Sequence, residues 1–526
     1  MKKRFFKVYI ILIFAFLLFL FYYIYLPVIN IHSSDLWIFI ISMLFLGAGA
    51  YKIIKFKTAN QKIIKAILFF AITLFIVYLI GYILSSPIVN AKKYQSLINI
   101  QNSDFKKDIK QISYDEIPIL DKETAINLGS RKMGSMVDMV SQFEVNNLYT
   151  QINYNAKPTR VTPLDYGNIF KWVTNRKNGI PAYMTIDMAT QETELIKLDN
   201  GIKYSFSEPL NRNVNRYLRF NYPTYMFDKI SFEIDDNGTP YWICPVKTYS
   251  IGLFGGPVIK KVILLNSITG ELTEYNIEDV PMWVDSVYSA DLLISYYNYY
   301  GMLKNGYFNS ILGQKGCLKT TEGYNYIALN DDVYVYTGVT SVGGDRSNVG
   351  FVLMNQRTGE SKYYTISGAQ ETSAMASAEG QVQHLGYKAT FPLLLNISNQ
   401  PTYFIALKDE AGLVKKYAMV NIEKYQIVAI GDTISECENN YIDLLSKSNI
   451  EINKNKTKQN IKGKITYIKE LVIDGNSHIF IKIDNNRKYF GIPVKNNLNI
   501  LNYQLNDNIY LEYEEQENYN IITKIN

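Results

Sequence analysis

The chain has 526 residues, 48% hydrophobic and 14% aromatic with 43 tyrosines, so it can bury sizeable cores in several domains, and wholesale disorder is excluded. Its cysteines, Cys244, Cys317 and Cys437, are too few and too widely spaced for a disulfide framework or a cysteine metal site; at most one pair could bridge. The net charge of +6 draws much of its lysine from the first hundred residues, which excludes a nucleic-acid footprint.

Abundant Asn, Ile, Lys and Tyr with little cysteine fit an exported protein of a Gram-positive bacterium. The chain opens on Lys2, Lys3, Arg4 and Lys7, followed by an uncharged run from Val8 to Ser34. That run exceeds the roughly 7–15 residues of a signal-peptide core, and Tyr25-Leu26-Pro27 is no small-x-small cleavage site, so an uncleaved helix is expected. Leu36 to Tyr51, extended by Ile53 and Ile54 while Lys52 snorkels, predicts a second helix, and Ala66 to Val89 predicts a third. The expectation is a three-helix transmembrane anchor over 1–91, meeting the lipid bilayer through 8–34, 36–54 and 66–89.

Orientation follows from basic residues in short loops. Lys52, Lys55, Lys57, Lys62 and Lys65 separate the second and third helices, whereas the first loop holds only His32 and Asp35. The N-terminus is then cytoplasmic, and three crossings place residues after 90 outside the cell. A re-entrant second helix would instead leave the large domain in the cytoplasm.

Residues 92–123 are polar and mixed in sign and read as a stalk. From Thr124 to residue 448 a grammar recurs in units of roughly 75 to 90 residues: strand, turn, strand, helix, hairpin. Its helices are expected near 124–145, 211–220, 281–302, 370–385 and 434–446. The strand–turn–strand segments VILLNSITGELTEY and FVLMNQRTGESKYY, with PYWICPV as an upstream strand, resemble the PepSY domain of bacterial extracytoplasmic proteins. The resemblance implies a helix-plus-antiparallel-sheet module that binds or inhibits rather than catalyses, and it brings no functional residues with it. Residues 449–462 read as a lysine-rich linker. Residues 463–526 hold five or six short strands and predict a small OB-like or SH3-like β-barrel. Tyr467, Phe480, Tyr489 and Phe490 are its candidate core or stacking aromatics. The fold class is thus a membrane-anchored α+β protein.

Chemistry is sparse. His32, His384 and His478 lie far apart and form no Ser-His-Asp, Cys-His or zinc spacing, so no catalytic residue, metal or cofactor is expected. Asp235-Asp236 and Asp331-Asp332 fall in apparent hairpin turns, where aspartate supplies turn hydrogen bonds. The candidate interface comprises Trp283, Tyr296, Tyr299 and Tyr300 of a tyrosine-rich helix, and Asp345, Arg346 and Asn348 of the glycine-rich loop Thr337 to Gly350. The expected function is a non-enzymatic cell-envelope protein binding a protein partner or cell-wall polymer. The alternative is an envelope glycan hydrolase using paired carboxylates. A transporter is disfavoured, because the apolar helices lack intramembrane charges.

Overall fold

The computed structural model describes residues 16, 19–54, 60–110, 117–329, 331–343, 347–448, 450, 458–473, 476–484, 486–514 and 519–525. They form two compact units, Met1–Ser448 and Asn449–Asn526.

In the first expected span, residues 8–15, 17 and 18 lie outside the described residues, and residues 19–25 are helical. The helix stops there rather than at Ser34. Pro27 disfavours the helical conformation for the residue before it, and Leu26 takes φ 51. The second helix is Ser34–Ile54 and the third Gln61–Leu84; both are long and apolar enough to cross a membrane. Asn60 caps the third, accepting from Lys62 N. It ends before Val89 because Pro87 opens a new helix, Pro87–Gln95, at the position where proline fits best.

This apolar head is joined to the body by hydrogen bonds. Ile29 N donates to Pro223 O at 2.8 Å, and Asn30 Nδ2 to Thr224 O at 2.9 Å. Arg216 Nε and Arg219 Nε donate to Tyr23 O and Leu26 O at 3.3 and 3.2 Å. Ser85 Oγ, at the end of the third helix, accepts from Leu253 N and Phe254 N at 2.9 and 3.1 Å. Phe254 packs its ring against Trp37 of the second helix and Tyr78 of the third. The two helices therefore run antiparallel, with the Trp37 and Tyr78 ends on the body's side.

Residues 92–123 are part of the body rather than a detached stalk. Ile100–Ser103 adds a parallel edge strand to Ser361–Tyr364, and Ile98, Phe105, Ile109, Ile117, Ile119 and Leu120 are buried. The lysines between them are what make the stretch look polar in sequence.

Among the described residues, the body holds four larger sheets of one antiparallel design, the third carrying Ile100–Ser103 as an added parallel edge. Each begins with a helix: Lys122–Gly134, Val214–Asn221, Ala290–Met302 or Glu371–Gln381. Two short strands follow, both pairing with the same long strand, and two further strands complete the sheet. The long strands are Lys157–Tyr166, Pro240–Ile251, Asp332–Ser341 and Gln400–Lys408. The helix thus opens the unit instead of sitting in its middle. The strands near Ala182–Leu198 belong to the first sheet, whereas the hairpin through Ile230–Val246 belongs to the second.

The recurring turn has a local cause. Asp187, Asn266, Asn355 and Asn421 stand at the start of the last turn of the four sheets, and each side-chain oxygen accepts backbone N–H groups two or three residues on. Gly270 and Gly359 then take φ +83 and +77, which their lack of Cβ permits.

The second sheet is covered on both faces. Along Pro240–Ile251, Trp242, Cys244 and Val246 enter a core shared with the first sheet. Ile243 points oppositely, into a core beneath Ala290–Met302 and the third sheet. Pro281–Ser289 are not helical; Ser289 caps the helix by accepting from Leu292 N. All three cysteines are free and buried.

The second unit is a closed five-stranded barrel of Lys458–Ile473, Asn476–Ile483, Phe490–Pro493, Asn508–Glu514 and Asn520–Ile525. The first strand starts inside the expected linker; residues 449 and 451–457 lie outside the described residues. Around the barrel the order is first, second, third, fifth, fourth, with third and fifth parallel. Closure leaves no free edge. Phe490 and Phe480 are buried; Tyr467 and Tyr489 are exposed and contact each other at 5.8 Å.

Candidate functional site

The tyrosine-rich helix fills a core rather than presenting a surface. Tyr296 is buried and donates to Pro257 O at 2.6 Å. Tyr299 packs edge-on to Tyr94 at 4.7 Å, Tyr300 contacts buried Tyr297, and Trp283 packs on Tyr241 at 5.1 Å. None of these four is exposed. Asp345 and Arg346 lie outside the described residues. Asn348 is 1% exposed and donates to Glu371 Oε2 and Tyr403 Oη, so it joins a hairpin to the fourth helix from inside. Burial in each case follows from apolar neighbours one helical or strand period away, which bring the aromatic or amide inward with them.

The paired acids of the sequence are also engaged. Asp235 Oδ1 accepts from Asn237 N and Thr239 N, closing its turn. Asp332 is clamped by Arg357 through Nε and Nη2 at 2.6 and 2.9 Å. Two other carboxyls converge, Glu233 at 0% and Asp285 at 1% exposure. Glu233 accepts from Asp285 N at 2.8 Å, Ser286 N at 3.0 Å and Ser231 Oγ at 3.2 Å. Asp285 Oδ2 accepts from Asn153 N at 2.7 Å, and its Oδ1 has no partner. Burial pushes both carboxyls up, and at Asp285 the Glu233 charge adds to burial. Accepting one hydrogen bond where Glu233 accepts three, Asp285 is the member that binds a proton more strongly. The pair ties the first three units together from the interior.

In front of this pair lies a cavity of about 310 Å³ where the first three units meet. Arg160 and Gln151 face each other across paired strands of the first sheet, so both side chains leave the same face. Both are 4% exposed. Arg160 Nε donates to Leu120 O at 3.3 Å; neither amide atom of Gln151 has a partner. The Tyr149 hydroxyl is likewise unpartnered, and burial pushes it up. Lys122 and Lys229 stand at the rim, both exposed, with Lys122 within reach of the charges of Lys229 and Arg160. Burial, then the Lys229 and Arg160 charges, hold the Lys122 ammonium below its usual value. Asp121 lines the cavity too, but its carboxylate accepts from Lys408 Nζ at 2.7 Å and from Thr124 N at 2.9 Å. No ion pair joins Arg160, Lys122 or Lys229 to a carboxylate among the described residues. Sequence reasoning passed over this site. Its one visible signal is an arginine inside the strand Lys157–Tyr166, whose neighbours are otherwise buried.

No family model matches the sequence, and no curated protein is similar to it. Among solved structures, the crystal structure of an ACO/RPE65 chimera in a monoclinic form aligns over 66% of this chain and 58% of that one, at 8% identity and a TM-score of 0.14. This chain spans little more than half of that structure, and a likeness at that score carries no argument.

Proposed function

We propose that the protein is a non-enzymatic, membrane-anchored binding protein whose body lies outside the cell and binds an envelope ligand, with a cell-wall polymer favoured over a protein partner. The observation that carries the exterior reading is the joint made by residues 23–30, Ser85 and the 251–255 hairpin tip. It puts the loop poor in basic residues on the body's side, while Lys52, Lys62 and Lys65 cluster at the opposite ends of the helices. The expected first span, 8–34, of which residues 19–25 are helical, supplies the third crossing in this reading. Exposed Phe308, Ile311 and Leu312 follow Tyr307, which packs with Ala91 and Tyr94 just after the third helix, and they suit contact with the outer lipid surface.

The four helix-plus-sheet units are PepSY-like in this reading, and the barrel's strand order with parallel third and fifth strands is OB-like. The cation-lined cavity favours the polymer, since cell-wall polymers carry acidic groups. Co-sedimentation of the detergent-solubilised full chain with isolated cell-wall material tests this. Saturable co-sedimentation that falls with salt is expected; retention of the chain in the supernatant, with a protein captured instead by crosslinking in cells, overturns the polymer reading.

A further inference from the structure

We propose that the cavity floored by Arg160 and Gln151 and rimmed by Lys122 and Lys229 is a binding site for an oxyanion, a phosphate or carboxylate group carried on its ligand. The proposal rests on the binding role given to the body above, and it names the chemistry that would be recognised.

Three observations converge. The first is charge: three cations and one carboxylate line the cavity, and that carboxylate is already bonded to Lys408. The acids behind the wall compensate little, because burial favours their neutral forms and Glu233 is turned toward Asp285 N, Ser286 N and Ser231 Oγ. The second is unmet hydrogen bonding. A guanidinium taken out of water with no ion-pair partner is costly, and so is an amide left wholly unpaired. Arg160, which bonds only Leu120 O and feels the Asp121 charge without pairing to it, stands beside the unpartnered Gln151 amide on one face. Such a cost persists where occupancy by a ligand relieves it. The third is the backbone: the helices Lys122–Gly134 and Ala290–Met302 both begin at the cavity, at Lys122 and Ala290, and bring their positive ends to it. The Arg160 fork suits the paired oxygens of phosphate and carboxylate alike. Tyr149, Tyr324 and Tyr326 supply the aromatic walls against which the rest of a small ligand, or the terminal unit of a polymer, would lie.

The test uses the purified full chain in detergent, titrated at constant ionic strength with inorganic phosphate, glycerol 1-phosphate and acetate, and read by calorimetry and by thermal midpoint. Binding of phosphate or acetate with a matching rise in midpoint is expected. Tighter binding of glycerol 1-phosphate than of phosphate assigns the site to a carried group rather than the free ion. Arg160→Lys should weaken binding about tenfold or more, because lysine lacks the fork. Arg160→Met should abolish binding while raising the midpoint of the unliganded chain, since the unpaired charge is gone. Lys229→Ala, at an exposed rim position, should weaken binding several-fold. No binding of any of the three probes, or undiminished binding in both Lys229→Ala and Arg160→Lys, overturns the proposal. Because the titration uses purified protein, its failure removes the anion site and leaves the membrane orientation standing.

Discussion

The buried acid pair gives opposite predictions for two isosteric substitutions. Glu233 accepts three hydrogen bonds, two from backbone N–H groups, whereas Asp285 accepts one and leaves Oδ1 unpartnered. Glu233→Gln turns an amide N–H₂ toward Asp285 N or Ser286 N. One acceptor is lost and a buried donor faces another donor, which costs about 2–4 kcal/mol. For a body of this size that lowers the thermal midpoint by roughly 2–4 °C. Asp285→Asn mimics the protonated acid and keeps the carbonyl oxygen for Asn153 N, so below the ordinary carboxylate range it should leave the midpoint unchanged. The sign reverses with pH. A carboxyl whose folded value is raised contributes its stability below the unfolded value and loses it as pH rises toward the folded one. The wild type therefore carries a growing penalty on the alkaline side, about 1.4 kcal/mol for each unit of pH within that window, which Asp285→Asn removes. Thermal midpoints of wild type and both variants between pH 4 and 8 decide the matter. Asp285→Asn should gain on wild type as pH rises, with Glu233→Gln below Asp285→Asn throughout. Equal losses in the two variants, or a loss in Asp285→Asn that deepens with pH, would refute the assignment of the proton.

Two glycines should respond oppositely to alanine. Gly359→Ala places a methyl at φ +77 and 3.3 Å from the Tyr288 ring, lowering stability by about 1–2 kcal/mol, whereas Gly380→Ala meets nothing within 4 Å inside a helix and should raise it by about 0.5–1 kcal/mol; thermal midpoints measure both. Ser85→Ala removes the acceptor for Leu253 N and Phe254 N, so hydrogen exchange at those two amides should accelerate while amides of the barrel stay unchanged.

What the sequence discloses depends on how local the cause is. The apolar helices at Ser34–Ile54 and Gln61–Leu84 and the strands of the barrel are written in runs and alternation that need no tertiary knowledge. The Asn-x-x-Thr-Gly-Glu turns are legible for the same reason, because Asn266 and Asn355 bond their own neighbours. The phase of the repeat is not local. Nothing within Ala182–Leu198 says that its partner is Lys157–Tyr166 rather than the hairpin beyond the next helix. The tyrosines of Ala290–Met302 mislead by number, since a helix lying between two sheets buries nearly all round and its aromatics read as surplus. The cavity was hidden more deeply. Lys122, Gln151 and Arg160 sit on three elements of the first unit and Lys229 in the second, and only their packing brings them to one opening.

The exterior placement of the body is tested most directly by thiol labelling of the full chain in intact cells. The native cysteines are free but buried, so a membrane-impermeant maleimide has little background to overcome. Cysteine introduced as Glu410→Cys, at an exposed turn of the body, should label in intact cells, whereas Asn60→Cys, between the second and third helices, should label only after permeabilisation. Labelling of Asn60→Cys in intact cells together with protection of Glu410→Cys would contradict the account.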